Sequence, residues 1–249
     1  MARLDKKIAV ITGGGGSIGI AAAALFVQEG AKVLLVDIDE DALKDGISSI
    51  GEEKASYVVA DVTKPDEVEG YVQTAIDRYG GIDIFLNNAG IEGKVAPIID
   101  YPVDEFDKVM AVNIKGMWLG MKYVMPHMQE KGGSVVITSS VAGMQGTPGV
   151  SAYTISKHAV VGLMRCAALE GAPNKIRVNS VHPAPIDNRM MDSLEEGMGI
   201  SKEELSQQIP WKRYGRPIEV ARMMLFLASN ESDYVTGGMF TVDGGQTAS

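Results

Sequence analysis

The chain has 249 residues, enough for one large α/β domain that buries roughly 70–75% of its unfolded surface, with 45% hydrophobic and 22% charged residues. Its net charge of −9, with no lysine or arginine cluster, argues against a nucleic-acid or anionic-membrane partner. A single cysteine, Cys166, excludes an intrachain disulfide and a thiolate metal site, and the histidines (His127, His158, His182) lack ligand spacing, so no metal site is expected. No signal peptide and no apolar run of membrane-spanning length is apparent, and a reducing, cytoplasmic setting is expected.

In chain order, Lys7–Thr12 is short, β-branched and stopped by glycine, which predicts a buried strand. Thr12-Gly-Gly-Gly-Gly-Ser-Ile-Gly19 follows, then an alanine-rich helix over about Ile20–Glu29, then a second strand, Lys32–Asp37. This strand, glycine turn, helix, strand unit is the first half of a nucleotide-binding α/β fold. Gly14, Gly16 and Gly19 match G-x-G-x-x-G, and the flanking elements supply the context that the motif needs. Glycines admit positive φ and close backbone approach, and the N–H groups at the helix start favour a pyrophosphate. Asp37, eighteen residues past Gly19, can accept hydrogen bonds from the adenosine ribose and would repel a 2′-phosphate. No arginine stands at 14–17 or 38–39 to receive such a phosphate, so NAD is expected over NADP.

The alternation continues with a helix over about Glu40–Ile50, a strand at Ala55–Ala60 followed by Asp61-Val62, and a helix opened by Pro65. Ile82–Asn87 reads as a strand leading into Asn87-Asn-Ala-Gly90. A long helix is expected from Asp104 to about Gln129, with Met110, Met117, Met121, Met125 and Met128 in one stripe that marks core or subunit interface. Asn113 interrupts that apolar segment and needs partners if buried. Ser134–Thr138 is a fifth strand ending at Ser139-Ser140, and a helix carries Tyr153 and Lys157 to about Glu170. Ile176–Val181 is a sixth strand, running into His182-Pro-Ala-Pro-Ile-Asp-Asn188. A mixed, methionine-containing segment covers 189–210, a helix runs from Arg216 to about Ala228, and Gly238–Asp243 is the seventh strand. The expected fold is one doubly wound, parallel, seven-stranded sheet with helices on both faces, a Rossmann fold in a single domain over residues 1–249.

Tyr153 and Lys157 share a helix face one turn apart. An ammonium beside a phenol favours the phenolate, so the pair can serve as a general acid/base near neutral pH. In a doubly wound sheet the ligand crevice lies at the carboxyl ends of the strands. The turn at Gly13–Gly19, Asp37, Asp61, Asn88, Ser140 and Pro183 all follow or sit at strand ends and should converge there.

Taken in order, the Thr12–Gly19 turn, Asp61-Val62, Asn87-Asn-Ala-Gly90, Asn113, Ser140, Tyr153 with Lys157, Arg177-Val-Asn179, Pro183, Arg216-Pro217 and Val242-Asp-Gly-Gly245 resemble the single-domain branch of the short-chain dehydrogenase/reductase family over essentially the whole chain. The resemblance implies that Tyr153 exchanges a proton with the substrate oxygen and that Ser140, rather than Ser139, hydrogen-bonds that oxygen. It implies that Lys157 binds the nicotinamide ribose and lowers the tyrosine pKa, and that Asn113 holds a relay water. It also implies cofactor contacts from Gly13, Gly16, Ser17, Ile18 and Gly19, from Asp37 and Ile38, and from Asp61 and Val62. Further contacts fall to Asn88, Ala89 and Gly90, to Tyr153 and Lys157, and to Pro183, Ile186 and Asn188. Departures from the family pattern are Ser17 where the branch has glycine, Ala184 after Pro183, and Asn188 where threonine is common. The expected activity is NAD-dependent interconversion of a secondary alcohol and a ketone, apolar or cyclic, in a pocket lined by 91–95, 141–150 and 189–210. The competing readings are a 3-oxoacyl-thioester reductase and a non-catalytic dinucleotide-binding sensor. The family is usually dimeric or tetrameric, so a homo-oligomer is expected.

Overall fold

The computed structural model describes residues 2–248. Seven strands form one parallel sheet: β1 (Ile8–Thr12), β2 (Lys32–Asp37), β3 (Ala55–Val59), β4 (Ile84–Asn87), β5 (Gly133–Thr138), β6 (Ile176–Pro183) and β7 (Met239–Val242), in the order β3-β2-β1-β4-β5-β6-β7. Such strands are covered on both faces, so they read as unbroken apolar runs. The side-chain alternation still sorts them. Val10, Phe85, Val135 and Val178 point to one face of the sheet, and Ala9, Ile11, Ile84, Leu86 and Val136 to the other.

The first face is covered by α3 (Pro65–Tyr79), α5 (Met117–Val124) and α6 (Ser151–Gly171), through Val68, Met121, Val160 and Met164. The second is covered by α1 (Ser17–Gln28), α2 (Glu40–Ile50) and α9 (Pro217–Ala228), through Ala22, Phe26, Leu43, Val220 and Met224. Each fully buried aliphatic or aromatic side chain contributes about 1.5–3 kcal/mol. Met117, Met121 and Met128 lie in the first of these cores and Met125 packs against it, so most of the methionine stripe is core.

The segment expected as one long helix is broken. The α-helix α4 (Val103–Met110) passes into a π-helical stretch at Ala111–Gly116, resumes as α5, and tightens into a 3₁₀ turn at Met125–Met128, where Pro126 stands. The mixed segment after β6 resolves into α7 (Arg189–Met198) and α8 (Lys202–Gln208), opened by the side chains of Asn188 and Ser201, which accept hydrogen bonds from Met191 and Glu204 N–H.

The chain order reverses between β1 and β4, where the polypeptide leaves the sheet in opposite directions. That switch point is where open α/β sheets bind ligands. Register brings Ile11 opposite Leu86, Asn87 opposite Ile137, and Thr138 opposite Val181, so the segments after β1, β4, β5 and β6 emerge side by side. Among the described residues, no helix is long and apolar enough to cross a membrane.

Candidate active site

Tyr153 and Lys157 occupy the first two turns of α6, on the face turned toward the end of β5. Lys157 is 3% exposed, donates from Nζ to the carbonyl of Thr138 over 2.9 Å, and lies 5.4 Å from the centre of the Tyr153 ring. Ser139 is buried and donates to the carbonyl of Lys157 over 2.9 Å. Ser140, half-buried, instead caps a short turn at Val141–Gly143, its Oγ accepting from Ala142 N–H over 3.1 Å. A Cβ at Gly143 would lie 2.6 Å from the Lys157 carbonyl, so this turn is pressed directly onto α6.

Burial dominates the electrostatics of both groups. Burial pushes the Tyr153 phenol up to about 12; the contact with Ser140 pulls it down and the charge of Glu92 adds to the rise. Burial likewise brings the Lys157 ammonium down to about 8. Burial is the leading cause at both groups, so Tyr153 lies above its ordinary value and Lys157 below its own. Tyr153 is held as a neutral phenol, the form that donates a proton.

Asn113 lies in the π-helical stretch and is fully buried. Its Oδ1 accepts from Ile91 N–H and its Nδ2 donates to the Ile91 carbonyl, each over 2.9 Å, and Nδ2 also donates to Ser156 Oγ over 3.0 Å. Both amide protons and one lone pair are thereby committed. Gly90 fills the space between Asn113 and Lys157, since a Cβ there would lie 3.3 Å from Asn113 Oδ1 and 3.4 Å from Lys157 Nζ.

The glycine turn forms the other half of the cleft. Gly13 has φ +64°, and a Cβ there would lie 2.9 Å from Asn88 Nδ2. A Cβ at Gly19 would collide with the Gly13 carbonyl. The turn is thus folded as tightly as glycine permits. Gly16 opens α1 without a side-chain cap, and no acidic residue stands in the first turn. The first N–H groups of that helix, those of Ser17, Ile18 and Gly19, suit a phosphate group. Asp37 accepts from Gly15 N–H (2.9 Å), Ile38 N–H (2.8 Å) and Asp39 N–H (3.2 Å), which ties the turn to the end of β2 and leaves the exposed Ile38 at the rim.

Asn88 joins three strand ends. Its Nδ2 donates to the carbonyls of Thr12 (3.1 Å) and Gly13 (3.3 Å), and its Oδ1 accepts from Thr138 Oγ1 (2.8 Å). Asn88 and Ala89 N–H groups both donate to Thr12 Oγ1. Asp61 accepts from Thr63 N–H over 2.8 Å, and Val62 packs against Gly116 of the π-helical stretch, where a Cβ would come within 2.8 Å of it. Pro183 ends β6 opposite Val242, Ile186 is buried and pairs with Gly215, and Asn188 caps α7. The expected residues of β1, β2, β4, β5, β6 and α6 therefore line one edge of the sheet.

Known proteins resemble this chain over nearly its whole length. The sequence profile of a family described as Enoyl-(Acyl carrier protein) reductase matches residues 14–247. A levodione reductase of Leifsonia aquatica is 39% identical over 256 residues, covering 99% of this chain and 96% of that protein. The crystal structure of levodione reductase superposes with a TM-score of 0.96 at 38% identity, over 99% of this chain and 100% of that one. The chain belongs to the short-chain dehydrogenase/reductase family. It is similar, too, to a 3-oxoacyl-acyl-carrier-protein reductase of Thermotoga maritima, 39% identical over 98% of each protein. The structure of an NAD⁺-bound xylitol dehydrogenase matches with a TM-score of 0.94 at 32% identity, over 98% of this chain and 100% of that one. The chain is accordingly a single-domain short-chain dehydrogenase/reductase, an oxidoreductase acting on CH–OH groups. A nicotinamide dinucleotide is the cofactor that this membership implies, and the uncapped α1, the close-packed glycine turn and the acid at the end of β2 fit one.

Several residues of this dehydrogenase/reductase site were not singled out by sequence reasoning. Thr12 and Thr138 hold the post-strand segments together through Asn88, and Thr138 also orients Lys157. Ser156 braces Asn113. Their signal in the sequence is weak, because a threonine ending a buried strand has the same pattern whether its hydroxyl is used or not. Glu92, within the 91–95 stretch expected to line the pocket, is 9% exposed and lies on the loop after β4. That loop passes from Gly90, against Lys157, to Ala96, which pairs with Val150 just before α6.

Proposed function

We propose that this protein is an NAD-dependent oxidoreductase that interconverts a secondary alcohol and a ketone, with Tyr153 as the acid/base. The observation that carries the reading is the meeting of Ser140, Tyr153 and Lys157 at the end of β5, on the same sheet edge as the glycine turn. The dinucleotide supplies the hydride acceptor or donor when bound. The turn at Gly13–Gly19 would hold its pyrophosphate, Asp37 its adenosine ribose, Asp61 and Val62 its adenine side, and Pro183, Ile186 and Asn188 its carboxamide side. Lys157 has two ammonium protons beyond the one given to Thr138, and these would hold the nicotinamide ribose. Ser140 would donate to the substrate oxygen and fix it beside Tyr153, which gives that oxygen a proton in reduction and removes one in oxidation. Asn113, braced by its side-chain bonds to Ile91 and Ser156, would hold the relay water that links Lys157 to solvent.

Asp37 supports NAD over NADP. Its carboxylate, at the end of β2 beside the glycine turn, would repel a 2′-phosphate, and no arginine stands at 14–17 or 38–39. The substrate reading rests on the cover of the cleft. α7 presents half-buried Met190, Met191, Leu194 and Met198, and Met144 on the Ser140 turn is 40% exposed. Gly197 of α7 packs on Val95, where a Cβ would come within 2.7 Å. Residues 189–210 thus act as the substrate-covering segment, apolar and adaptable, and suit an apolar or cyclic secondary alcohol.

The test is initial-rate kinetics with NADH and NADPH over a panel of cyclic and aryl-aliphatic ketones and alcohols, on wild type and Tyr153→Phe. Turnover with NADH that falls about 10²-fold or more in Tyr153→Phe is expected. Near-normal turnover in that variant would remove Tyr153 from its role. A second reading, 3-oxoacyl-thioester reduction, is favoured by the likeness to the Thermotoga maritima reductase. It requires acyl thioesters to be reduced faster than the ketone panel, with NADPH preferred.

A further inference from the structure

We infer that His182 is a positioning residue for Ser140, holding the main-chain carbonyl of Ser140 through a neutral imidazole protonated on Nδ1. The inference deepens the proposed reaction and rests on the role given there to Ser140.

His182 is the penultimate residue of β6 and has no exposed surface. Its Nδ1 lies 3.0 Å from the carbonyl oxygen of Ser140, and its Nε2 lies 2.8 Å from Ser180 Oγ. A carbonyl only accepts, so Nδ1 carries the proton. Nε2 is then an acceptor, and the Ser180 hydroxyl donates to it. This single neutral tautomer satisfies both ring nitrogens and leaves no buried polar atom of the imidazole unpaired. The surroundings favour the neutral form: burial lowers the imidazole pKa, and the nearby charges of Lys157 and His158 lower it further against the opposing pull of the Ser140 carbonyl.

The consequence lies in the Ser140 turn. The carbonyl of Ser140 accepts twice, from His182 Nδ1 and from Gly143 N–H over 2.9 Å. Its Oγ accepts from Ala142 N–H. Ser140 is thus fixed by its own turn on one side and by β6 on the other. The adjacent peptide is already anchored, since Ser139 N–H donates to the Val181 carbonyl and Ser139 Oγ to the Lys157 carbonyl. Without His182, the Ser140 carbonyl loses one of its two donors and keeps an unpaired lone pair, and the turn carrying Ser140 Oγ can rock relative to Tyr153. A hydrogen bond of this kind is equivalent to about tenfold in rate if it is needed only for reaction geometry.

The experiment has two arms. Ring ¹⁵N–¹H correlation spectra of the wild-type protein, with His182 assigned from its disappearance in His182→Asn, should show the Nδ1–H tautomer for His182. An Nε2–H tautomer overturns the inference, and this arm needs no active variant. In the second arm, kcat and the KM values are measured for His182→Leu, His182→Asn and Ser140→Ala. The asparagine amide nitrogen sits the same number of bonds from the backbone as Nδ1 and can keep the donor. Expected is about a tenfold fall in kcat for His182→Leu with cofactor KM unchanged, substantially restored in His182→Asn. Wild-type kcat in His182→Leu, or an equal loss in both histidine variants, refutes the positioning role while a dead Ser140→Ala leaves the proposed chemistry standing. A fully active Ser140→Ala instead removes Ser140 from the reaction, and the positioning role falls with it.

Discussion

Ser139 Oγ donates to the main-chain carbonyl of Lys157 over 2.9 Å, so the buried serine of the adjacent pair is spent on joining the end of β5 to α6. Its neighbour Ser140 turns its hydroxyl toward the cleft and the Tyr153 side. The two serines are equivalent in composition and opposite in use, because successive residues of an extended segment face opposite ways.

That division yields the first prediction. Ser139→Ala breaks the seam and lowers stability by about 1 kcal/mol, with a modest loss of turnover. Ser140→Ala loses the bond from Ala142 N–H, a smaller stability cost at a half-buried turn, and lowers kcat far more. Denaturant melts paired with initial rates decide it, and the reverse pattern would exchange the two roles.

Lys157 sets a pH dependence of stability. Its pKa falls from 10.5 to about 8 on folding, by burial. Between those values the unfolded chain binds more protons than the folded one, so stability rises with pH. The contribution is fully present above the unfolded value and is lost as pH falls through about 8. Lys157→Met lacks this titration. The stability of wild type relative to Lys157→Met should therefore increase between pH 7.5 and 9.5, by on the order of 1 kcal/mol. Melts at matched ionic strength measure it. The window stops short of the region where Tyr153, raised to about 12, contributes with the opposite sign. A constant difference across the window would mean that the ammonium is not desolvated.

The elements framing this seam are legible in the sequence to different degrees. Lys32–Asp37 and Glu40–Ile50 stand at the bounds their patterns predict, because a strand covered on both faces and an amphipathic helix each carry their period in the side chains. The first helix starts at Ser17, three residues ahead of its apolar run, since glycine and serine at a helix start look like turn. The π-helical stretch at Ala111–Gly116 is invisible to periodicity, which reports faces and not hydrogen-bond register. Its marker was Asn113, an amide in an apolar segment that needed partners and found them on Ile91 and Ser156. Ser201 with Glu204 forms a capping box that could have signalled α8. His182 gave no sequence signal, because its partner is brought to it by the β5–β6 pairing.

Asp37 has two jobs that one substitution separates. It ties Gly15 to the end of β2, and in the proposed NAD preference its charge would oppose a 2′-phosphate. Asp37→Asn keeps a carbonyl acceptor for Gly15 N–H and removes the charge. The ratio of kcat/KM for NADH over NADPH should fall about tenfold or more in Asp37→Asn, mainly through a gain with NADPH. An unchanged ratio would place cofactor discrimination elsewhere.

Glu92 offers a test of the proposed acid/base role of Tyr153. Its negative charge adds to the rise of the Tyr153 phenol pKa, behind burial as the main cause. Removing the charge without changing the shape, in Glu92→Gln, lowers that pKa. Oxidation requires the phenolate, so in wild type its rate should still be climbing above pH 9, and in Glu92→Gln the climb should begin at lower pH. Reduction uses the neutral phenol and should lose its plateau earlier in the variant. Full pH–rate profiles in both directions, at saturating cofactor, read the shift directly. Movement of both limbs together toward acid identifies Tyr153 as the group Glu92 controls, whereas movement of one limb alone assigns the effect to a different ionisation.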